Sequence, residues 1–376
     1  MCWTVGMDFP EAPDTHAPRL GAVVPGCLLA RPGQRPTWFP SALQNAERIV
    51  LLVLDGLGWH QLRERSSLAP TLSSMEGGPM MTVAPSTTAT ALTTLATGAD
   101  PLEHGVLGYR IDLDGTVMNT LSWYGGAPGE RRRDLRLEHP PSTVQPVRPF
   151  CGERVPVVTR AEHLGTAFTD AHLTGTALRG WRSPSSIAVE IQEALAQGAS
   201  FVYAYYDGID KIAHERGFGS YYDAELSATD RLVGDVLDAL PSGTTLVVLA
   251  DHGQVQTGDA IIELPAAVDR FVDRQSGEGR FRWLHARSGR TDDLCESLSS
   301  FASVAWIRRR DEILASGWFG RSGNSSFARR LGDVALIPFT DVSFHDPDDS
   351  GAFPLVCRHG SLTEAETVVP LLALTV

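Results

Sequence analysis

Lysine is almost absent: of 32 basic residues only Lys211 is a lysine, so arginine carries nearly all the positive charge. That bias reads as a base-composition effect, not as chemistry. No basic run exceeds Arg131-Arg132-Arg133 or Arg308-Arg309-Arg310, and the formal net charge is −13. Polymeric nucleic acid is bound through excess positive charge, so this composition argues against DNA or RNA as a partner. No apolar stretch approaches the roughly 20 residues that a membrane span needs. The opening MCWTVGMDFPEAPD has neither a basic n-region nor a long apolar core, so no signal peptide is expected. The five cysteines, Cys2, Cys27, Cys151, Cys295 and Cys357, are scattered and lack C-x-x-C spacing. Free thiols in a reducing, cytoplasmic setting are the expectation.

What is present is the composition of a globular protein with a sizeable core: 376 residues, 43% hydrophobic and 20% charged. Residues 1–45 are an irregular Pro/Gly-rich lead-in with one apolar patch, Gly21–Ala30. The run RIVLLVLDGLG (Arg48–Gly58) reads as a strand buried on both faces of a parallel sheet, followed by a helical pattern from Trp59 to Met75. After a less regular stretch, a helix over Ser185–Ala196 and the strand SFVYAYYDG (Ser200–Gly208) follow. A helix over Ala224–Ala239 then leads to the strand GTTLVVLADHG (Gly243–Gly253). This alternation predicts a doubly wound α/β sheet. The rhythm lapses over 255–335 and resumes with DVALIP (Asp333–Pro338), VCRHG (Val356–Gly360) and VVPLLALTV. One domain is expected, with a core over about 45–255 and 333–376 and insertions over about 110–180 and 255–335.

The stretch that organises the rest is MMTVAPSTTATALTTLATGADPLEHG, residues 80–105. Met80–Ala84 reads as a strand stopping at Pro85, and an Ala/Leu/Thr helix follows and ends at Gly98. Hydroxyls at such a junction cap free backbone N–H groups. The same N–H groups and the helix dipole suit a phosphate. One of Ser86, Thr87 and Thr88 is thus a cap, a nucleophile or both; taken alone, the cap is the preferred reading.

Buried strands end in Asp55, Asp207 and Asp251, and open α/β sheets place ligands beyond the carboxyl ends of their strands. His252 follows Asp251 directly. Asp210 and His214, in D-x-x-x-H spacing, share one face of a helical turn. His359 sits in a strand-terminal Arg-His-Gly, with His345 competing for the same late role. Individually, a strand-end Asp is ordinarily a turn former and a lone His a core or surface residue. Joint placement at one rim, beside Thr88, marks the set as a metal site. Carboxylates with imidazoles suit zinc or manganese, and there are enough ligands for two cations. His104, before Gly105, is expected to shape a turn. Trp123, Tyr124 and Trp283 are open between core and base-stacking roles.

In order along the chain, LLVLDGLG, APSTTATALTTLATG with its later HG, YYDGIDKIAH, LADHG and RHG resemble the type I phosphodiesterase/nucleotide pyrophosphatase family of the alkaline phosphatase superfamily. The resemblance implies an alkaline-phosphatase-like α/β/α sandwich with a mostly parallel central sheet and inserted cap segments. It implies two divalent cations, zinc foremost, one held by Asp55, Asp251, His252 and Thr88 and the other by Asp210, His214 and His359. It also implies attack by Thr88 on phosphorus and a phosphothreonine that water hydrolyses. The implied substrate is a small phosphodiester or nucleotide. The sequence departs from the family where a lysine precedes the threonine and Asn-His follows it: here stand Thr87, Ala91 and Leu92. The family's phosphate-contacting asparagine has no match at Gly108 or Tyr109, leaving Asn119 or Tyr109 as its substitute. The alternatives are a phosphomonoesterase, for which Arg110 is the candidate extra cation, a phosphonate hydrolase, or a silent binding relative.

Overall fold

The computed structural model describes residues 7–127, 130–321, 326–349 and 354–376. Its centre is a seven-stranded sheet of β1 (Arg48–Leu54), β2 (Glu76–Met81), β3 (Pro156–Arg160), β4 (Ala177–Trp181), β5 (Phe201–Tyr206), β6 (Thr244–Leu249) and β7 (Val368–Thr375). The spatial order is β2-β7-β6-β1-β5-β3-β4. β6, β1, β5, β3 and β4 run parallel, while β7 and β2 close one side antiparallel. Every residue of β5 and β6, and all but Arg48 of β1, is buried. Successive side chains point to opposite faces, so both faces of the sheet are covered, as the unbroken Val/Leu/Ile runs require. Three adjacent parallel strands thus deliver Asp55, Asp207 and Asp251 to one edge.

Several elements fall elsewhere than expected. The strand before the threonine-rich helix is Glu76–Met81, not Met80–Ala84. It pairs antiparallel with β7 at the sheet's edge, where a strand tolerates Pro79, and a cis Ala84–Pro85 bond follows. The Trp59–Met75 pattern is two short helices, Trp59–Glu64 and Pro70–Ser74, because Pro70 cannot donate a helical hydrogen bond and sits instead at a helix start. The region 110–180, expected as an insertion, contains β3 and β4 of the central sheet. The extra structure within it is a four-stranded meander over residues 110–134. Asp333–Pro338 does not return to the central sheet. Val334–Pro338 lies between Phe281–Ala286 and Ala305–Arg309 in a second, four-stranded antiparallel sheet that Val272–Glu278 completes. Val334 and Leu336 pack in a separate cluster with Leu284, Leu294 and Phe301, while Ala335 and Ile337 join the main core from the other face; a short run does not say which sheet it will join.

The helix after Pro85, α1 (Thr88–Thr97), ends at Gly98 in the left-handed conformation. Three further helices are α2 (Ser186–Ala196), α3 (Gly208–Arg216) and α4 (Ser220–Ala239). Among the described residues no helix is long and apolar enough to cross a membrane. Among the described residues no two cysteines are joined by a disulfide, and Cys2 lies outside them.

Candidate active site

At the carboxyl edge of the sheet the predicted residues come together. Asp55 follows β1 and Asp251 follows β6; each has one carboxylate oxygen tied down and the other free. Asp251 Oδ1 accepts from the amides of Gly56 (3.2 Å) and His252 (3.1 Å). Asp55 Oδ2 accepts from the Tyr205 hydroxyl. The remaining oxygens, Asp55 Oδ1 and Asp251 Oδ2, are buried without a hydrogen bond and lie 3.4 and 3.6 Å from His252 Nε2. One turn of α3 sets Asp210 Oδ1 3.3 Å from His214 Nε2, as the D-x-x-x-H spacing predicts. His359 arrives from a two-residue strand, Cys357–Arg358, paired with Val255–Gln256, and its ring stacks on His252 with centroids 3.7 Å apart.

The three imidazoles share one orientation. His214 Nδ1 donates to Cys357 O (2.7 Å), His252 Nδ1 to Gly253 O (3.1 Å) and His359 Nδ1 to Ser86 O (3.0 Å). Each carbonyl fixes its ring as the tautomer whose Nε2 carries a lone pair, the arrangement that prepares histidine for a metal. Two such nitrogens, His359 Nε2 and His214 Nε2, face each other at 3.2 Å. Lone pairs and unpartnered carboxylate oxygens converging at this spacing are stable only around positive charge.

The electrostatics agree. Burial, with Asp251 and Asp210 nearby, pushes the Asp55 carboxyl well above its usual range, and burial raises Asp251 as well. Burial also opposes the charge on Asp210, but His214, His359 and His252 outweigh it and hold that carboxyl low. His359 is pushed far down by burial and by its two neighbouring imidazoles. The donor set fits a divalent cation: Asp55, Asp251 and His252 form one group of ligand atoms and Asp210, His252 and His359 another, with His252 common to both and His214, expected in the second, in neither.

Thr88 opens α1 beside this cluster. None of the junction hydroxyls caps the helix as expected. Thr87 is the N-cap residue without a side-chain cap, and Ser86 Oγ donates to Ser361 O (2.7 Å). The Thr87 side chain lies beside Glu278, a residue carried in by the second sheet. Thr88 Oγ1 lies 3.0 Å from His252 Nε2, and because that nitrogen carries the lone pair, the threonine hydroxyl donates. The first-turn amides of α1 have no partner within the helix.

Two cavities meet here, sharing Thr88, Leu121 and Asp210. The inner one, about 240 Å³, runs past Phe168, His172 and Tyr203. The outer one, about 690 Å³, opens past Tyr109, Glu278 and Arg358. Glycine is required at two points of the rim. A Cβ on Gly56 (φ +73°) would lie 2.6 Å from Gln254 Nε2, and one on Gly360 (φ +126°) 2.8 Å from Glu278.

Other candidates are placed elsewhere. His345 lines the outer cavity but lies outside both ligand groups. Asp207 is held by Lys211 (2.5 Å) and Arg160 (3.4 Å). Arg110 pairs with buried Asp346, so it supplies no extra cation. Tyr109 lines the outer cavity, whereas Asn119 turns its side-chain oxygen to the amides of Leu121 and Ser122. Trp123 and Trp283 are core. His104 shapes its turn, accepting from Val106 N–H at 3.1 Å and donating to Thr94 Oγ1 at 2.9 Å.

Four site residues escaped the sequence reading. Tyr205 and Gln254 adjoin known motifs and carried that signal, since each lies within five residues of a ligand. Arg358 precedes His359. Glu278 comes from the second sheet, and nothing in its surroundings in sequence marks it.

Residues 49–361 match the family described as type I phosphodiesterase / nucleotide pyrophosphatase. No curated protein compared with the chain matches it significantly. Among solved structures, murine ectonucleotide pyrophosphatase / phosphodiesterase 5 superposes with a TM-score of 0.64 at 15% identity, covering 86% of this chain and 87% of that one. An inactive threonine-to-alanine variant of that murine protein, solved with AMP, gives 0.63 at 13% identity over the same shares of 86% and 87%. Phosphonoacetate hydrolase from Sinorhizobium meliloti 1021, solved with phosphonoformate, gives 0.61 at 16% identity over 87% of this chain and 90% of that one. At such identities the likeness is one of fold.

Proposed function

The chain belongs to the type I phosphodiesterase/nucleotide pyrophosphatase family and has the alkaline-phosphatase-like fold of its structural neighbours, and from that premise we propose that it hydrolyses phosphodiester or pyrophosphate bonds in small, nucleotide-like molecules. The observation that carries the proposal is Thr88. Its hydroxyl stands at a helix N-terminus, 3.0 Å from His252 Nε2, at the junction of two cavities. A diester places two organic groups on phosphorus, and two chambers meeting at the nucleophile accommodate both.

Two divalent cations, zinc foremost, held by Asp55, Asp251, His252 and Thr88 and by Asp210, His214 and His359, would supply charge to offset phosphoryl oxygens and to acidify a hydroxyl or water. The protein's own part is positioning. Carbonyls of Gly253, Cys357 and Ser86 lock the imidazoles, and Tyr205 orients Asp55. The first-turn amides of α1 offer donors to a non-bridging oxygen, and Tyr109 stands where the family's asparagine is missing. Thr88 Oγ1 bonds to phosphorus as the ester bond to the leaving group breaks, and water then hydrolyses the phosphothreonine.

The test is the ratio of hydrolysis rates for a chromogenic phosphodiester and the matching monoester on zinc-loaded protein. A ratio well above one is expected. A ratio well below one overturns the diesterase reading in favour of a phosphatase or phosphonatase.

A further inference from the structure

The outer cavity contains one cation that the protein leaves unmatched. Three guanidiniums crowd behind it. Arg280 is bound by Glu366, through Oε1 and Oε2 at 2.7 Å each, and Arg282 by Asp346 at 3.1 Å. Arg358 is the third, and it lines the cavity together with Thr88 and His359. Among the described residues it makes no side-chain hydrogen bond and no ion pair within 4.0 Å, and its Nε is buried without an acceptor. Asp349 attracts it from the same cavity wall, while Arg280 and Arg282 repel it. A half-buried guanidinium without an acceptor is costly, whereas one facing a carboxylate or phosphate forms a planar, two-pronged contact.

Its position is fixed. Residue 358 pairs with Val255 in the strand that presents His359, and the next residue but one, Gly360, bridges to Ser86 of the nucleophile segment. Arg358 is therefore held at a set offset from the reaction centre rather than on a free loop. Lys211, the cation of the inner cavity, offers a contrast: it is already neutralised by Asp207 at 2.5 Å. Glu278, which lines the same cavity beside His359, carries a second unmet polar atom, Oε1. Burial raises the pKa of this carboxyl to about 8.

We propose that Arg358 is a specificity residue that binds a second anionic group, a phosphate or a carboxylate, on the substituent of phosphorus that occupies the outer cavity. This rests on the function proposed above and narrows it: esters with a diphosphate or a carboxylated leaving group are preferred over simple diesters.

The test is calorimetric and independent of turnover. Affinities of zinc-loaded protein are measured for methylphosphonate, which has one anionic group, and for phosphonoacetate and methylenediphosphonate, which add a carboxylate or a second phosphonate. The wild type is expected to favour at least one two-anion probe by roughly 10–100-fold, the range of a charge-assisted contact. Arg358→Ala and Arg358→Gln should erase that preference while leaving methylphosphonate within about 2-fold, and Arg358→Lys should restore part of it. The probe that loses more identifies the anion. A wild-type ratio near one, a ratio unchanged in both variants, or equal losses on all three probes would overturn the inference. Absence of hydrolysis on every ester would overturn the proposed function alone, because the binding ratio does not depend on turnover.

Discussion

At the sheet rim, each candidate ligand hangs from the end of a strand or helix held by the main core, and a backbone carbonyl, an amide or Tyr205 aims it. In the lining of the outer cavity, Glu278 ends a strand of the second sheet and Tyr109 leads into the short meander, both outside the parallel sheet. The two regions differ in what stabilises their geometry. Strands β1, β5 and β6 bury whole Val/Leu/Ile runs, each side chain contributing about 1.5–3 kcal/mol, so the rim is rigid and its acids cannot drift. In the cap, one face of the second sheet has a smaller apolar cluster of its own, while its other face and the meander pack on the main core. Under the function proposed above, the comparison implies a division of labour: the rim would set the rate and the cap would select what is cleaved.

The strongest way to break that division is Thr88→Ala. Losing the nucleophile should cost roughly 10³-fold or more in kcat while two metals per chain are retained. Steady-state rates together with metal analysis check it, and appreciable residual activity would take the nucleophile off the rim. Next, His359→Ala should lower bound zinc from two ions per chain towards one and cut activity by at least about 100-fold, read by the same two assays. Unchanged metal content would remove His359 from the ligand set.

A smaller effect should come from the cap. Tyr109→Phe removes one neutral hydrogen-bonding group and is expected to cost about 3–10-fold in kcat/KM. If it lowers kcat as much as the nucleophile variant does, the division between rate and selection fails. Smallest of all for activity is His172→Phe, whose effect should appear in stability at acid pH. Burial lowers the His172 pKa from 6.5 to about 4. The unfolded chain therefore binds a proton that the native state refuses, and stability is lost as pH falls from 6.5 towards 4. The variant should recover up to about 3 kcal/mol of that loss at pH 4 and nothing at pH 8, measured by denaturant titration. An identical pH profile in both proteins would show that the ring is not the buried neutral group described here.

The rim was largely legible because its determinants are local. A run such as IVLLVLD states its burial and its terminal acid together, and D-x-x-x-H states a helical face. The caps were misread because a hydroxyl at a helix start looks the same in sequence whether or not it turns back to bond the backbone, and Thr87 does not. Asp333–Pro338 was misassigned because five buried residues fit either sheet. Glu278 and the unmatched state of Arg358 were invisible, since pairing is a property of residues 64 to 86 positions apart, as Arg282 with Asp346 and Arg280 with Glu366 show.

By itself, then, the order of residues determined which strands are buried, which acids and histidines end them, and that they share one edge, because periodicity and strand direction follow from neighbouring residues. Only the tertiary structure decided which carboxylate oxygens stay free, which arginine lacks a partner and how two cavities meet at Thr88. Those depend on charges and surfaces brought together from distant parts of the chain, where solvation and pairing are settled by packing.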